Sequence, residues 1–109
     1  TQMFFDNQKY FDFVKLCREN DIHIPIIPGL KPIATKKQLT LLPQRFHLNI
    51  PSELVNLIIK SKNNDEVRNI GIEWAINQTR ELIEFGVPCI HFYTMGKSDN
   101  IQKIVQKFI

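Results

Sequence analysis

The stretch Ile22 to Pro32, IHIPIIPGLKP, decides how the chain folds. Its middle, Ile24 to Ile27, is apolar and rich in β-branched residues with no polar alternation, the pattern of a strand that a parallel sheet buries on both faces. This predicts a central strand over 24–27, stopped by Pro28 and Gly29. With Pro32 following, the chain leaves the strand's carboxyl end through a stiff, turn-forming loop. In α/β folds ligands bind beyond that end of the strands.

Upstream, Thr1 to Phe5 reads as a short strand closed by Asp6 and Asn7, residues whose side-chain oxygens cap helices. Tyr10, Phe13, Val14 and Cys17 then recur at helical spacing, and Asn20 and Asp21 supply the exit. The order strand, helix, strand is a βαβ unit, whose crossover is right-handed in nearly all cases.

Downstream, Thr35 to Gln38 opens a short helix carrying Leu39, Leu41 and Leu42, disturbed by Pro43 and ending near Phe46. Pro51 and Ser52 start a second helix, with Leu54, Val55, Ile58 and Ile59 as its apolar face. The longest helix spans about Glu66 to Phe85, with Val67, Ile70, Trp74, Leu82 and Phe85 on one side and Gly86 as its C-terminal cap. Trp74 is expected in the core. Asn77, Gln78 and Thr79 spell a glycosylation sequon that is expected to be incidental in mid-helix. Cys89 to Met95 reads as the third strand. Ser98 or Asp99 caps a last helix with Ile101, Ile104, Val105 and Phe108 inward. Three successive strand-helix units make an α/β architecture with a parallel sheet, compatible with a doubly wound sheet or a barrel.

With 109 residues, 43% of them hydrophobic, the chain suffices for one domain or part of one, and no run is long enough to cross a membrane. The formal charge of +3 is a mild excess that suits an anionic small molecule as well as nucleic acid. Cys17 and Cys89 form no CxxC pair, which points to packed thiols in a reducing compartment. His23, His47 and His91 lack ligand spacing, so no metal site is expected, and His91 is read as a core histidine. The sequence starts at Thr1 and runs straight into Met3, Phe4 and Phe5, which reads as a fragment entered inside a strand.

Three places qualify for chemistry beyond the strand ends: the Thr1 to Asn7 neighbourhood, the Pro28 to Gln38 loop, and the turn from Thr94 to Lys97. Gln2 sits among apolar neighbours, where its carboxamide either bonds nearby backbone or offers a heterocycle a donor and an acceptor at once. Lys31, Lys36, Lys37 and Lys97 are each read first as solvated lysines, the alternative being that they attract an anion to that face. No Gly-rich phosphate loop, GxSxG or nucleophile-base pair is present, so no self-sufficient active site is expected.

TQMFFD at Thr1 to Asp6, IPIIPGLKPI at Ile24 to Ile33, NIGIEWA at Asn69 to Ala75 and HFYTM at His91 to Met95, in this order, resemble the C-terminal part of methylenetetrahydrofolate reductases. The resemblance covers essentially the whole chain, 1–109, as a single partial domain. It implies a TIM barrel of which this chain is about the last three strand-helix units, out of about 250 residues typical of the fold. It implies a cytoplasmic oxidoreductase in which NADH or NADPH reduces FAD, and the flavin passes the hydride to 5,10-methylenetetrahydrofolate to give 5-methyltetrahydrofolate.

Residue by residue, the resemblance implies that Gln2 contacts both the folate pterin and the nicotinamide donor, and that Gln38 contacts folate. Lys97 stands where the family has an arginine on the folate, keeping the charge and losing the bidentate fork. Leu42 stands where a family phenylalanine lies near folate, keeping apolar contact and losing stacking. The general acid and nearly all FAD contacts belong to the family's N-terminal portion, so the expected partners are the folate substrate and the remainder of the barrel, with a homo-oligomer compatible and no nucleic acid, membrane or metal. Alone, the piece is expected to be inactive, with an open sheet edge prone to pairing. The other readings are a different TIM-barrel enzyme binding a phosphate beside its last strands, and a non-catalytic α/β binding module or scaffold for an anionic ligand or nucleic acid.

Overall fold

The computed structural model describes residues 1–94 and 98–109. Its elements, in order, are α1 (Asn7–Glu19), β1 (Gly29–Leu30), α2 (Gln38–Phe46), α3 (Ser52–Ile59), α4 (Asn64–Phe85), β2 (His91–Phe92) and α5 (Asp99–Val105). Helices dominate, and the sheet is small.

The β-strands are parallel, with Gly29 opposite His91 and Leu30 opposite Phe92, and Met3 adds a parallel bridge to Gly29 on the other side. β1 is therefore central, flanked by the segment around Met3 and by β2. Backbone bonds tie both flanks: Phe4 N–H donates to Gly29 O at 3.3 Å, His91 N–H to Pro28 O at 2.9 Å and Tyr93 N–H to Leu30 O at 2.8 Å.

This corrects the expected position of the central strand. The pairing lies on Gly29–Leu30, whose two residues are both buried, while Ile24 is 65% and Ile27 39% exposed. The cause is local competition for backbone groups. Pro25 and Pro28 have no N–H to give a ladder, and α1 occupies the carbonyls before them. Arg18 Nη1 donates to Ile22 O at 2.8 Å and Ile24 O at 3.0 Å, and the Tyr10 hydroxyl donates to Ile26 O at 2.6 Å. Gly29, expected to stop the strand, is its first residue. The first expected strand is reduced to the Met3 bridge and the third to His91–Phe92.

Gly29 is required by its neighbours. A Cβ there would lie 2.7 Å from Tyr93 Cε2 and 2.8 Å from Thr1 O. Gly29→Ala is expected to destabilise the fold by about 1–3 kcal/mol, the usual cost of overpacking, read as a lower urea midpoint at unchanged m-value.

The helix starts follow the expected chemistry. The Asp6 carboxylate accepts from Gln8 N–H at 3.0 Å, and the Asn63 side chain accepts from Glu66 N–H at 3.0 Å. Gly86 closes α4 at φ 95°, a left-handed position that costs glycine little. α2 runs through Pro43 to its end at Phe46.

α4 is the hub, packing against α1, α3 and α5. It feeds three apolar clusters. Val67 joins Met3, Phe5, Ile33, Leu42, Leu54 and Ile58 in the first, and Leu82 joins Tyr10, Val14, Cys17, Ile26 and Leu30 in the second. Ile72, Ala75 and Ile76 meet Ile104 in the third. A helix packed on several sides buries more than one stripe, so the single expected face is incomplete and Phe85 is exposed. Phe13, Leu41 and Ile59, expected inward, are also exposed. Trp74 is half-buried against the first cluster and donates from Nε1 to Phe5 O at 2.9 Å. In the sequon, the Thr79 hydroxyl is buried and donates to Ala75 O at 2.7 Å.

One buried amide pair locks α1 to α4. Asn7 Nδ2 donates to Gln78 O at 3.1 Å, and Gln78 Nε2 returns a bond to Asn7 Oδ1 at 3.0 Å and another to Phe4 O at 3.3 Å. Gln78→Leu would leave the Asn7 carbonyl without that donor inside the core. It is expected to lower unfolding free energy by about 1–3 kcal/mol, measurable by urea titration.

Candidate functional site

A cavity of about 460 Å³ opens beyond the carboxyl ends of the two strands. Lys31 and Pro32, directly after β1, form one wall, and Tyr93 and Thr94, directly after β2, form another. Gln38 at the start of α2, Arg68 in α4 and Asp99 in α5 complete it. The placement agrees with the general position of ligand sites in parallel α/β sheets.

Local bonds shape this cavity. Gln38 Oε1 accepts from Ala34 N–H at 2.7 Å and Thr35 N–H at 3.4 Å, pinning the loop that leaves β1. Lys36 N–H donates to Asn64 Oδ1 at 3.2 Å, fastening the same loop to α4. With its oxygen committed to the loop, Gln38 has its Nε2 hydrogens to offer a ligand.

Gln2 lies elsewhere. Its side chain is exposed, and Oε1 accepts from Met3 N–H at 3.1 Å, the neighbouring-backbone bond that sequence reading weighed against a ligand role. It lines no wall of the main cavity. The link between the two is Tyr93, whose backbone pairs with β1 and whose hydroxyl donates to Thr1 O at 2.8 Å, one residue before Gln2. Tyr93 thus spans from the cavity wall to the first strand segment across Gly29. Sequence reading quoted it only as part of HFYTM; the signal that would have found it is the paired glycine, a residue without a Cβ beside an aromatic strand position.

The other expected site residues separate. Leu42 is 4% exposed and packed with Met3 and Phe5, so in this arrangement it backs the Gln2 segment from the core and does not line the cavity. Lys97 lies outside the described residues. His91, read as a core histidine, is exposed, with its ring edge-on to Tyr93 at 4.6 Å between centroids. Burying every face of β2 would need another layer over His91, which the described residues do not supply. Cys17 is buried as expected, and Cys89 is exposed.

Burial pushes the Lys31 ammonium below the usual lysine range, because desolvation disfavours its charged form. No group of three His, Cys, Asp or Glu side chains among the described residues is placed to hold a metal ion. No helix among them is long and apolar enough to cross a membrane.

The sequence model of the family described as Methylenetetrahydrofolate reductase matches residues 1–108. The chain is 34% identical over 108 residues to the "Probable methylenetetrahydrofolate reductase (NADPH)" of Caenorhabditis elegans, covering 97% of this chain and 16% of that protein. It is 35% identical over 109 residues to the "5,10-methylenetetrahydrofolate reductase" of Buchnera aphidicola subsp. Schizaphis graminum, covering 99% of this chain and 37% of that protein. Similarity to the "Methylenetetrahydrofolate reductase (NADH) 1" of Arabidopsis thaliana is 33% over 97 residues, 88% of this chain and 16% of the plant protein. The chain therefore spans well under half the length of these relatives. Parallel strands with a cavity at their carboxyl ends, and a match along nearly every residue, lead to one assignment: the chain belongs to the methylenetetrahydrofolate reductase family.

Proposed function

We propose that this chain supplies the folate-facing, C-terminal part of a TIM-barrel methylenetetrahydrofolate reductase, which reduces 5,10-methylenetetrahydrofolate to 5-methyltetrahydrofolate with NADH or NADPH through FAD. The observation that carries the reading is the family match over residues 1–108. The parallel order of the Met3 segment, β1 and β2 supports it, since successive parallel neighbours are what a barrel arc contains.

In this reading Gln2 acts as a two-way hydrogen-bonding edge. An exposed carboxamide gives one donor and one acceptor to the amide-like edge of a pterin or to the carboxamide of a nicotinamide. Gln38 offers its Nε2 hydrogens to folate, and Lys97 supplies charge for a folate carboxylate. Leu42 contributes by holding the Gln2 segment in place. The Tyr93 hydroxyl is already bonded to Thr1 O, and the residues present offer the flavin no site of its own in this reading. The flavin is therefore assigned to the rest of the protein, and no step through it is derived from this chain.

The test is reduction of 5,10-methylenetetrahydrofolate by the protein as it is expressed, followed by mass spectrometry of the folate product. Formation of 5-methyltetrahydrofolate, dependent on NADH or NADPH, is the expected result. A flavin-loaded preparation that oxidises neither nucleotide with this folate would remove the reading.

A further inference from the structure

Lys31 is the only buried charged residue among the described residues, at 6% exposure. It follows β1 directly and its side chain lines the cavity. Its ammonium meets no acceptor within hydrogen-bond reach and no carboxylate within ion-pair distance among them. Because no fully buried polar atom there lacks a partner, Nζ must open onto the cavity. A cation held this way, with no protein anion against it, costs the folded state free energy. The core gives no reason to keep it.

The surroundings give one. Arg68, about one turn into α4, lines the same cavity half-buried and is likewise without a bonded carboxylate among the described residues. Asn64 and Asp65, the first residues of the 22-residue α4, also line it. Their backbone N–H groups precede the first intrahelical bonds, at the positive end of the helix dipole. Asp65 and Asp99 bring negative charge to the cavity, but both are exposed, where water screens them.

We propose that Lys31 and Arg68, with the first turn of α4, grip an oxyanion of a small-molecule ligand, a carboxylate or a phosphate, inside this cavity. The proposal deepens the folate reading, because both substrates of that reaction carry such groups: glutamate carboxylates on the folate and phosphates on the dinucleotide. Neither Gln2 nor Lys97 is needed for it.

The experiment compares wild type with Lys31→Met and Arg68→Met in the protein as expressed. Lys31→Met keeps the apolar stem and removes the charge. Melting temperatures are read first in a buffer lacking both anions, then with glutarate and with inorganic phosphate. Binding of 5-methyltetrahydrofolate, of its pteroate counterpart without glutamate, and of NADH is then titrated. Lys31→Met is expected to melt at or above the wild-type temperature and to bind at least one of the two anions about tenfold more weakly, the loss of one charge-assisted contact. Weakening confined to the glutamate-bearing folate identifies a carboxylate, and weakening confined to NADH identifies a phosphate. Wild-type binding of glutarate or phosphate that needs Lys31, with no folate bound, would keep this site and remove the folate reading. Equal anion binding by wild type and both variants overturns the proposal. So does a lower melting temperature for Lys31→Met in the anion-free buffer, which would make the lysine structural.

Discussion

Gly71→Ala is expected to destabilise the protein by about 4 kcal/mol or more, beyond the usual range for overpacking. A Cβ at this position would lie 1.9 Å from Ile33 O, 2.8 Å from Ile33 C and 2.9 Å from Ile33 N. All three atoms are backbone, so no rotamer change relieves the contact. α4 would have to withdraw from the segment that joins β1 to α2, and it cannot do so cheaply. Ile33 is fully buried in the same cluster as Val67, one turn before Gly71 on the same helix. At a solvent-facing helix site the same change would stabilise by about 1 kcal/mol, because glycine is the poorer helix former. The sign of the effect therefore reports the packing directly. A urea midpoint equal to or above wild type would show that α4 does not sit on the Ile33 backbone. The change should also loosen the loop from Lys31 to Gln38, seen as faster amide exchange there.

Gln2→Ala is expected to lower kcat/KM for the folate and for the nicotinamide nucleotide by about 30- to 160-fold each, the loss of two hydrogen bonds of about 1–1.5 kcal/mol apiece. Stability should hardly move. Gln2 is exposed, and its side chain accepts a bond from the adjacent Met3 N–H, which water can replace. Parallel losses for both substrates are what the role proposed for Gln2, one carboxamide serving two heterocycles in turn, requires. A loss for one substrate alone would restrict Gln2 to that ligand. Unchanged kinetics would remove Gln2 from the site.

The element order, the caps at Asp6 and Gly86, and the parallel arrangement were legible because they depend on local chemistry and periodicity, whereas the Asn63 cap of α4 was not anticipated. The exact strand position was not. A run such as Ile24 to Ile27 looks like a buried strand in one dimension, yet Arg18 and Tyr10 take its carbonyls from a helix that precedes it. Long-range competition of this kind leaves no periodic trace. The several-sided burial of α4 was hidden for a related reason: a helix at the hub carries apolar residues in more than one stripe, and only the stripe of large residues was visible.

At the site, the sequence placed ligands beyond the carboxyl ends of the strands and named Gln38 and Lys31, and the structure sets both residues on the wall of a cavity there. The sequence could not separate Lys31 from the solvated lysines, since burial of one ammonium depends on where α4 and β2 arrive. Nor could it tell that Leu42 would pack beneath Met3 and Phe5. Gly71 was quoted only within NIGIEWA, and the need for it appears once Ile33 is placed against the helix.

The most direct measurement is single-turnover kinetics on the protein as expressed: reduction of the flavin that the proposed function requires by NADH or NADPH, then reoxidation by 5,10-methylenetetrahydrofolate with the product identified by mass. The account predicts a flavin absorption that bleaches with the nucleotide and returns with the folate, yielding 5-methyltetrahydrofolate. A flavin that the nucleotide reduces but the folate cannot reoxidise would contradict it.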